Sequence, residues 1–471
     1  MREKYKYLIK NIGFFTIAGF VPKVLSFLMI PIYTRCLSTA SYGTAELLNS
    51  TVQLLMPLLT LQVQDAVLRY SLDQTYRKSE VLSVGIQISI CGGILLTAAL
   101  FIVRLTNAFP LGLAYGGFLL VNYFTGALNN IFSYFCRGID KVKVLTLGSV
   151  LCSLITIGCN LLFLVKFRWG LNGYLLANSV GAFCCAIYVF FGAELYRYTV
   201  KVSFHSKAAK EMIVFSAPMI FSALAWWVNN ASDKYFVTFF RGVSLTGIYS
   251  VSYKIPIILM ALGDVVSKAF SISAIRDFDE TDRDGFIGTT YSAISFCMTV
   301  GCSAIMLLNI PLARLLFAKR FFIAWRFVPP LLVSVLFNQL SLSCENIFLA
   351  VRRTKIISVT AVIGAAVNIG CNFLLIPKFG AYGAAIATVI SFGLVWLLRY
   401  RAAKKYITMQ NAQTKELLSY VLIIAQMILA YWKMKLIIPQ IIIFIAILLL
   451  YGKEAVQAIR KLKVRFSFAK G

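Results

Sequence analysis

The sequence predicts an all-α polytopic membrane protein of about fourteen transmembrane helices, in which two related six-helix halves are followed by two further helices. Three observations predict this fold class: a strongly apolar composition, a series of apolar segments of membrane-spanning length, and an internal repeat. Of the 471 residues, 59% are hydrophobic and 14% are charged, and the mean hydropathy is +0.80. A soluble domain is on average about 45–50% apolar and about 25% charged, so the composition indicates a membrane protein.

Apolar segments of about 20 residues recur along almost the whole chain, and each is long enough for a helix to cross a hydrocarbon layer of roughly 30 Å. We place them at 11–33, 42–64, 81–103, 111–136, 144–165, 171–193, 212–240, 246–267, 286–310, 327–351, 356–377, 381–398, 417–432 and 436–451. The last two are short and the boundary between 310 and 327 is ambiguous, so twelve or thirteen spans is the alternative count. The basic start of the chain precedes an apolar stretch too long for a signal peptide, so we expect a retained first helix.

The distribution of basic residues predicts the orientation of these helices. The net charge is +28 and the chain has 46 Lys and Arg residues. With the N-terminus inside, the inside segments hold 31 of them, the outside segments hold 12, and 3 lie within helices. This is the positive-inside pattern, so we expect both termini in the cytoplasm of a bacterial cell, with the helices in its inner membrane and no nucleic-acid partner. One outside segment, 314–326, is contrary because it carries four basic residues, and we place it at the lipid headgroups.

Cysteine and histidine indicate neither a disulfide framework nor a metal site. The eleven cysteines fall almost entirely within the apolar segments and show no paired spacing in an outside loop, as expected of small apolar helix residues. The single histidine, His205, lies in a basic loop with no second histidine or cysteine beside it. We therefore expect no metal and no cofactor.

An internal repeat divides the chain into two halves. Residues 158–177 read GCNLLFLVKFRWGLNGYLLA and residues 370–387 read GCNFLLIPKFGAYGAAIA, so that Asn160 and Asn372 each precede a Lys-Phe pair by the same distance. Because both copies have the same topological position, they predict parallel repeats, a common arrangement in transporters with a central site. Chance recurrence of small helix-packing residues is the simpler alternative, but the number of matched positions makes it improbable.

The repeat and the basic stretch between its copies predict the organisation of the domains. The predicted parts are an N-terminal lobe at 1–196, a cytoplasmic linker at 197–211, a C-terminal lobe at 212–405, two additional helices at 406–452, and a basic cytoplasmic tail at 453–471. Prolines interrupt three predicted spans, at Pro57, Pro218 and Pro256, where they predict either bends used during transport or static kinks.

Charged residues inside the predicted spans are candidates for function, because a charge at mid-bilayer costs a few kcal/mol and usually faces the interior of a bundle. They are Lys23 in the first span, Asp233 and Lys234 in the seventh, and Lys254 and Asp264 in the eighth; Glu46, Asp65 and Glu345 lie nearer the ends of their spans. For these last carboxylates, contact with the interface is the simpler interpretation. Lys23 is about twelve residues, or roughly 18 Å, from either end of its helix and needs a wet cavity.

Three segments resemble a known family. The run NFLLIPKFGAYGAAIATVIS at 372–391, SDKYF at 232–236 and LTGIYSVSYKI at 245–255 are similar to the polysaccharide-export branch of the multidrug/oligosaccharidyl-lipid/polysaccharide (MOP) superfamily, whose O-antigen flippases are called Wzx. The resemblance implies two six-helix lobes in a MATE-like V shape with a cationic cavity between them. It also implies a transporter that flips a polyprenyl-pyrophosphate-linked oligosaccharide from the cytoplasmic to the outer leaflet, for surface polysaccharide export.

Convergence of Lys23, Lys234 and Lys254 would create a positive site suited to a pyrophosphate group, since lysine supplies a mobile charge with three donors. The family resemblance implies that Lys23 and Lys254 lie in the cavity. Mutual neutralisation of Asp233 and Lys234 is an equal alternative. The neighbouring side chains of Asn229, Asn230 and Tyr253 would contact sugar hydroxyls and rings, although aromatic residues also form ordinary interfacial belts. Glu46, Asp65 and Asp264 are candidates for coupling to an ion. The expected partners are membrane lipid, the lipid-linked oligosaccharide, and the polymerase and glycosyltransferases of the same pathway.

Two other classes of protein fit parts of the sequence. A drug/cation antiporter of the same superfamily would need a buried carboxylate in the N-terminal lobe, where the first span carries Lys23 instead. A membrane-embedded polysaccharide polymerase or glycosyltransferase would need acid, base or metal groups gathered at one membrane face. The outside loops are short and contain no histidine and no carboxylate cluster. We therefore expect a transporter and not an enzyme, and we keep an accessory scaffold as a further alternative.

Overall fold

The computed structural model describes residues 21–106, 110–200, 206–264, 286–351, 353–406, 413–432 and 437–451, and the statements below concern these residues. Within them every regular element is helical and no strand occurs. The chain divides into two compact units, Met1–Ala231 and Ser232–Gly471, and each is described by itself. The predicted tail at 453–471 and the candidate His205 lie outside the described residues.

The first unit contains ten helices within the described residues. They are α1 (21–28), α2 (Ile30–Cys36), α3 (Thr39–Leu59), α4 (Val63–Leu72), α5 (Lys78–Thr106), α6 (Pro110–Gly138), α7 (Val142–Asn160), α8 (Gly170–Gly192), α9 (Lys207–Ser216) and α10 (Met219–Arg241), whose last residues belong to the second unit. A π-helical turn, Leu161–Lys166, continues α7. The buried core lies where α4, α5 and α6 meet α8 and α9, and it includes Val67, Leu82, Phe135, Ala186 and Met212.

The second unit continues with nine helices in the part of the chain that the structure describes. They are α11 (Val243–Ser252), α12 (Pro256–Asp264), α13 (Phe286–Leu307), α14 (Asn309–Leu316), α15 (Val328–Ala350), α16 (Thr354–Phe379), α17 (Ala381–Ala403), α18 (Gln413–Trp432) and α19 (Ile437–Leu450). A 3₁₀-helix, Lys319–Arg326, precedes α15. α15 is the central helix of this unit, since 83% of its most apolar 18-residue stretch is buried. It packs against α13, α16, α17 and α18, and α18 and α19 pack on α13.

The helices confirm the predicted all-α membrane fold. Each of the fourteen predicted apolar segments overlaps one or two of the helices above. Seven helices are long and apolar enough to cross a membrane, and up to ten do so when each bent pair counts as one span. Among the others, α6 has 29 residues with a non-helical one at Tyr115, and α19 has 14 residues. The predicted linker at 197–211 stays a prediction, since the division between the compact units falls within α10.

Prolines lie at or beside three of the breaks between helices. α3 contains Pro57 two residues before its end, and the following α4 is bent from it by 56°. Pro218 separates α9 from α10, and Pro256 is the first residue of α12, which is bent by 44° from α11. Proline lacks a backbone donor and its ring clashes with the preceding turn, so these bends have a local cause in the sequence.

The repeat places two glycines at equivalent helix junctions. Gly170 has φ +56° at the start of α8, and Gly380 has φ +59° between α16 and α17. A residue with a Cβ atom rarely adopts positive φ, so glycine permits each chain reversal at low energetic cost. The two copies of the sequence repeat therefore have the same backbone arrangement: a long helix, a tight junction at glycine, and a second long helix that packs on the first.

Candidate functional site

The three lysines of the predicted spans are half-buried. Lys23 lies in α1 of the first unit, Lys234 lies in α10, and Lys254 lies in the short connection between α11 and α12 of the second unit. Lys234 and Lys254 therefore belong to one compact unit and Lys23 belongs to the other. The convergence of all three on a shared cavity stays a prediction.

Asp233 is the centre of a buried polar cluster in the second unit. Its side chain is 2% exposed. The Oδ2 atom accepts hydrogen bonds from the hydroxyls of Tyr249, at 2.5 Å, and Tyr253, at 2.8 Å. The Oδ1 atom accepts from the backbone N–H of Lys234 at 2.9 Å. Three donors thus satisfy the carboxylate, which is the condition under which a buried acid is tolerated.

The two tyrosines reach the same carboxylate because they are four residues apart on one helical face. Their hydroxyl oxygens are 3.0 Å apart, and their rings pack edge to face with centroids separated by 5.3 Å. Tyr253 is the C-cap residue of α11, at the start of the 44° bend toward α12. The hydroxyl of Tyr253 also contacts that of Thr388 on α17. The cluster therefore connects α10, the bend after α11, and α17.

A second set of buried polar side chains continues from Ser232 into the repeated motif. The Ser232 hydroxyl donates to Oδ1 of Asn368 at 3.4 Å, and the Asn372 side-chain amide donates to the same oxygen at 2.9 Å. Asn368 and Asn372 are 1% and 0% exposed. In the first unit, Asn160 is also 0% exposed, and its amide donates to the backbone oxygen of Thr156. The sequence analysis identified Asn160 and Asn372 only as positions of the repeat. The spacing of Asn368 and Asn372, four residues apart in an apolar helix, was the signal that could have predicted this polar set.

The predicted sugar-contacting asparagines make hydrogen bonds within their own helix. The side-chain amide of Asn229 donates to the backbone oxygen of Ala225 at 2.9 Å, and that of Asn230 donates to the backbone oxygen of Trp226 at 2.8 Å. Asn229 is 7% exposed and Asn230 is half-buried. Next to them, the indole N–H of Trp227 donates to the backbone oxygen of Ser50 on α3, within the first unit. The assignment of Asn229, Asn230 and Tyr253 to a substrate cavity stays a prediction.

The three candidates for ion coupling lie on separate helices. Glu46 is 9% exposed on α3, where it accepts a hydrogen bond from the Tyr42 hydroxyl. The interpretation of Glu46 as an interfacial residue was therefore wrong, because protein covers its carboxylate and a tyrosine one turn away pairs with it. Asp65 is half-buried in the first turn of α4. Asp264, at the end of α12, is half-buried and accepts from Gln339 at 3.4 Å.

Sequence reasoning missed an ion pair inside the second unit. The predicted span 381–398 ends one residue before Arg399, which was therefore one of the basic residues counted in the inside loops, and Glu345 was placed at an interface. The guanidinium of Arg399, on α17, is 5% exposed and lies 2.8 Å from the Glu345 carboxylate on α15. It also donates to the hydroxyls of Ser341 and Thr360 and to the backbone oxygen of Ile357. Because the apolar run on α17 ends at residue 398, hydropathy alone placed the arginine in the loop that follows the span.

Among the described residues, no group of three or more histidine, cysteine or acidic side chains could hold a metal ion. The eleven cysteines are all free thiols. The chemistry that the described side chains offer is therefore that of buried carboxylates with hydroxyl partners and of lysine ammonium groups.

Comparison with known proteins identifies a family for more than half of the chain. The sequence signature of the family described as "Polysaccharide biosynthesis protein" matches residues 8–271, more than half of the 471 residues. The chain is 25% identical over 252 residues to the uncharacterized membrane protein MJ1068 of Methanocaldococcus jannaschii, which covers 48% of this chain and 47% of that protein. It is 25% identical over 245 residues to the probable flippase AglR of Haloferax volcanii, covering 44% and 45%. Each match thus spans about half the length of the relative.

Solved structures share the fold over nearly the whole chain. A structure of the lipid II flippase MurJ in an inward closed conformation is similar with a TM-score of 0.72 and 14% identity, covering 96% of this chain and 99% of that one. An inward-facing multidrug resistance transporter of the MATE family is similar with a TM-score of 0.62 and 15% identity, covering 83% and 97%. At this level of identity the likeness concerns the fold.

Proposed function

Because this chain belongs to the polysaccharide biosynthesis protein family, in the polysaccharide-flippase branch of the MOP superfamily, we propose that it flips a polyprenyl-pyrophosphate-linked oligosaccharide across a membrane. The observation that carries the proposal is the presence of three lysines in the predicted spans: Lys23 in α1, Lys234 in α10, and Lys254 in the connection between α11 and α12. The substrate moves from the cytoplasmic to the outer leaflet by alternating access, for export of a surface polysaccharide.

The choice of an anionic lipid-linked substrate follows from the cost of intramembrane charge. A lysine at the centre of a membrane-spanning helix costs about 2.5–3.5 kcal/mol even on insertion scales, so such lysines usually face a wet cavity or a counter-charge. A pyrophosphate supplies that counter-charge, and lysine holds phosphate through mobile donors that also allow release. One relative of the same fold is named a lipid II flippase, and an archaeal relative is named a probable flippase, which supports this substrate class.

The bent helices supply a structural basis for alternating access. α3 and α4 meet at 56°, and α11 and α12 meet at 44°, each with a proline at or near the break. A proline break removes a backbone hydrogen bond and lowers the resistance of a helix to bending. Lys254 lies in the second of these breaks, so a motion there would move a substrate-binding charge.

The distribution of basic residues supports the type of membrane and the orientation of the chain, and the substrate class implies the partner enzymes. The excess of basic residues on one set of loops, 31 against 12, supports an inner-membrane protein of a bacterium with both termini in the cytoplasm. The substrate class requires glycosyltransferases that build the lipid-linked oligosaccharide and a polymerase that consumes it. These enzymes are the proposed pathway partners.

A second candidate function is that of a drug/cation antiporter, and one observation favours it. Glu46 in the first unit and Asp233 in the second are both buried carboxylates that hydrogen bond to tyrosine hydroxyls. Carboxylates buried in helix bundles commonly serve proton or cation exchange in transporters. In that case the transported molecule would be a cation, and the lysines would not be needed for its binding.

Reconstitution in vesicles tests the proposal and separates it from the alternative. A fluorescent polyprenyl-pyrophosphate oligosaccharide is supplied in one leaflet, and its transfer to the other leaflet is compared for wild type, Lys23→Ala and Lys378→Ala. Lys378 is exposed, so its substitution is the matched control. We expect Lys23→Ala to lose transfer by at least tenfold while inserting normally, and the control to transfer like wild type. Full transfer by Lys23→Ala would reject the cationic site, and uptake of cations without transfer of the lipid would favour the antiporter.

A further inference from the structure

One basic segment contradicts the charge pattern of the rest of the chain. Residues 309–327, here called the basic segment, comprise α14 and the 3₁₀-helix that follows it, and they contain four basic residues and no acidic one. Arg314, Lys319, Arg320 and Arg326 are all exposed. The positive-inside pattern predicts few basic residues on this side, so topology does not account for them. A local cause for this charge is therefore needed.

A cavity of about 400 Å³ lies beside the basic segment. Its wall includes the polar side chains of Asn309, Arg314 and Gln440 and the apolar ones of Ile310, Ala430 and Ile437. These residues come from α14, α18 and α19, so the cavity is bounded by the two additional helices and by the basic segment. Its volume is within the range of about 300–1,000 Å³ that is typical of sites for small ligands.

Asn309 indicates which chemistry the cavity would accept. Its side chain is 2% exposed, and its amide donates to the backbone oxygen of Trp325 at 2.9 Å. Its Oδ1 atom has no hydrogen-bond partner among the described residues. A buried acceptor without a donor is unfavourable, and native proteins usually satisfy it. A ligand that supplies an O–H group would satisfy Oδ1, while the nearby guanidinium of Arg314 calls for an anion such as phosphate.

We propose that this cavity binds a phospholipid whose headgroup combines a phosphate with hydroxyl donors, and we commit to phosphatidylglycerol. Arg314 holds the phosphate, and Oδ1 of Asn309 accepts a hydrogen bond from the glycerol headgroup. The apolar wall formed by Ile310, Ala430 and Ile437 packs against the upper part of an acyl chain. Basic pockets between transmembrane helices commonly recognise anionic headgroups in this way.

The basic segment and its surroundings are suited to a lipid rather than a soluble ligand. Leu308 is 51% exposed and Leu315 is 68% exposed, and they flank the lining residues Asn309 and Arg314 along the chain. On α19, Ile438 is 68% exposed next to the lining residue Ile437. A phosphate site bordered by exposed apolar side chains matches the chemistry of a membrane interface. The bound lipid would join α14 to α18 and α19, helices outside the proposed transport route.

Native mass spectrometry of the delipidated full-length protein tests this site. Dioleoyl-phosphatidylglycerol is titrated into wild type, Arg314→Gln, Ala430→Phe and Arg320→Gln, and the apparent Kd of the first bound lipid is measured. Arg320 belongs to the same basic segment but does not line the cavity, so it is the matched control for general charge. We expect Arg314→Gln and Ala430→Phe to weaken binding at least fivefold, and Arg320→Gln to change it by less than twofold.

The headgroup is tested with a second lipid. Dioleoyl-phosphatidylmethanol has the same net charge, phosphate and chains but no hydroxyl donor, so we expect it to bind wild type at least fivefold more weakly. Equal weakening by Arg314→Gln and Arg320→Gln would show diffuse charge attraction and overturn the proposal. Equal affinity for the two lipids would overturn the role of Asn309, and displacement of the lipid by lower concentrations of a polyprenyl pyrophosphate would assign the cavity to the transported substrate.

Discussion

The hydroxyl of Tyr249 lies 2.5 Å from Oδ2 of Asp233, so a side chain of α11 holds a buried carboxylate of α10. Tyr253 contacts the same oxygen at 2.8 Å from the position where α11 ends. Tyr253, the first residue of the bend between α11 and α12, therefore connects this bend to Asp233 by a hydrogen bond. A motion of α12 that rotates Tyr253 would change the hydrogen bonding of Asp233, which connects local helix geometry to the state of a buried acid.

The hydrogen bond from Tyr249 leads to a prediction about stability. Tyr249→Phe keeps the ring but removes a donor from a buried carboxylate, so we expect a loss of about 1–3 kcal/mol in the free energy of unfolding. The apparent Tm in detergent measures it. Tyr431→Phe, at a residue that is 41% exposed on α18, is the control and is expected to melt like wild type. Identical melting of Tyr249→Phe and wild type would show that the bond contributes nothing.

The Arg399–Glu345 pair leads to a second prediction. Arg399→Gln leaves the Glu345 carboxylate beside α17 without its guanidinium partner, and removal of one member of a buried pair typically costs about 3–5 kcal/mol. Because Glu345 is partly exposed, we expect the lower end of this range or less. Monodispersity after heating, followed by size-exclusion chromatography, measures the loss.

Two further variants make the ion-pair prediction specific. Arg401→Gln removes an exposed arginine from the same helix, and we expect no change. The double variant Arg399→Met with Glu345→Leu removes both charges, and we expect it to recover at least half of the loss, since apolar replacement of a buried pair is often nearly neutral. A double variant as unstable as Arg399→Gln would mean that the packing of the arginine, and not charge pairing, holds α15 to α17.

The junction between the helices of the repeat leads to a third prediction. Gly380 has φ +59° and ψ −140°, a conformation that residues with a Cβ atom rarely adopt. Gly380→Ala should therefore destabilise the protein by about 1–3 kcal/mol through backbone strain. Gly370→Ala is the control: this glycine lies inside α16, and an added Cβ atom would meet nothing within 4 Å. We expect it to leave the apparent Tm unchanged or to raise it; equal losses in both variants would contradict the explanation from φ.

A contact outside the membrane spans leads to a prediction of pH dependence. The hydroxyl of Tyr76, in the loop before α5, donates to the Glu211 carboxylate on α9, and this hydrogen bond raises the pKa of Tyr76 to about 12. The unfolded value is about 10. A folded pKa above the unfolded one means that the contribution to stability is complete below pH 10 and is lost as pH rises toward 12.

The difference in apparent Tm between wild type and Tyr76→Phe measures this linkage. We expect the difference to stay constant from pH 7 to about pH 9.5 and to shrink above about pH 10. Tyr431→Phe again serves as the control and should show no such trend. A difference that stays constant to pH 11 would show that Tyr76 titrates normally or that Glu211 is not its partner.

Hydropathy predicted the helices well, and local chemistry predicted their breaks. Within the described residues each apolar segment forms one or two helices, because a backbone in lipid must satisfy its own hydrogen bonds. Pro57, Pro218 and Pro256 marked interruptions because proline disrupts helical hydrogen bonding wherever it stands. The repeat was also visible, since Gly170 and Gly380 serve the same backbone conformation in both copies. These features depend on residues that are close in the sequence.

Long-range pairing was where sequence reasoning failed. Arg399 was assigned to a loop because it follows the apolar run of α17, and nothing in its neighbourhood along the chain reveals Glu345, which is 54 residues away. Glu46 was assigned to an interface because it lies near the end of its predicted span, whereas its side chain is buried in the structure. Whether a charged side chain is buried or exposed can be predicted only when its partner in the fold is known.

The sequence by itself determined the membrane class, the helical segments, the repeat and the presence of lysines in the apolar segments, because hydrophobicity, charge and proline act locally or as sums over the chain. Only the tertiary structure decided that Asp233 is shared by two tyrosines, that Arg399 is buried against Glu345, and that Asn309 keeps an unpaired oxygen beside a cavity. Those outcomes depend on which helices pack together, and packing is decided by contacts between residues far apart in the chain.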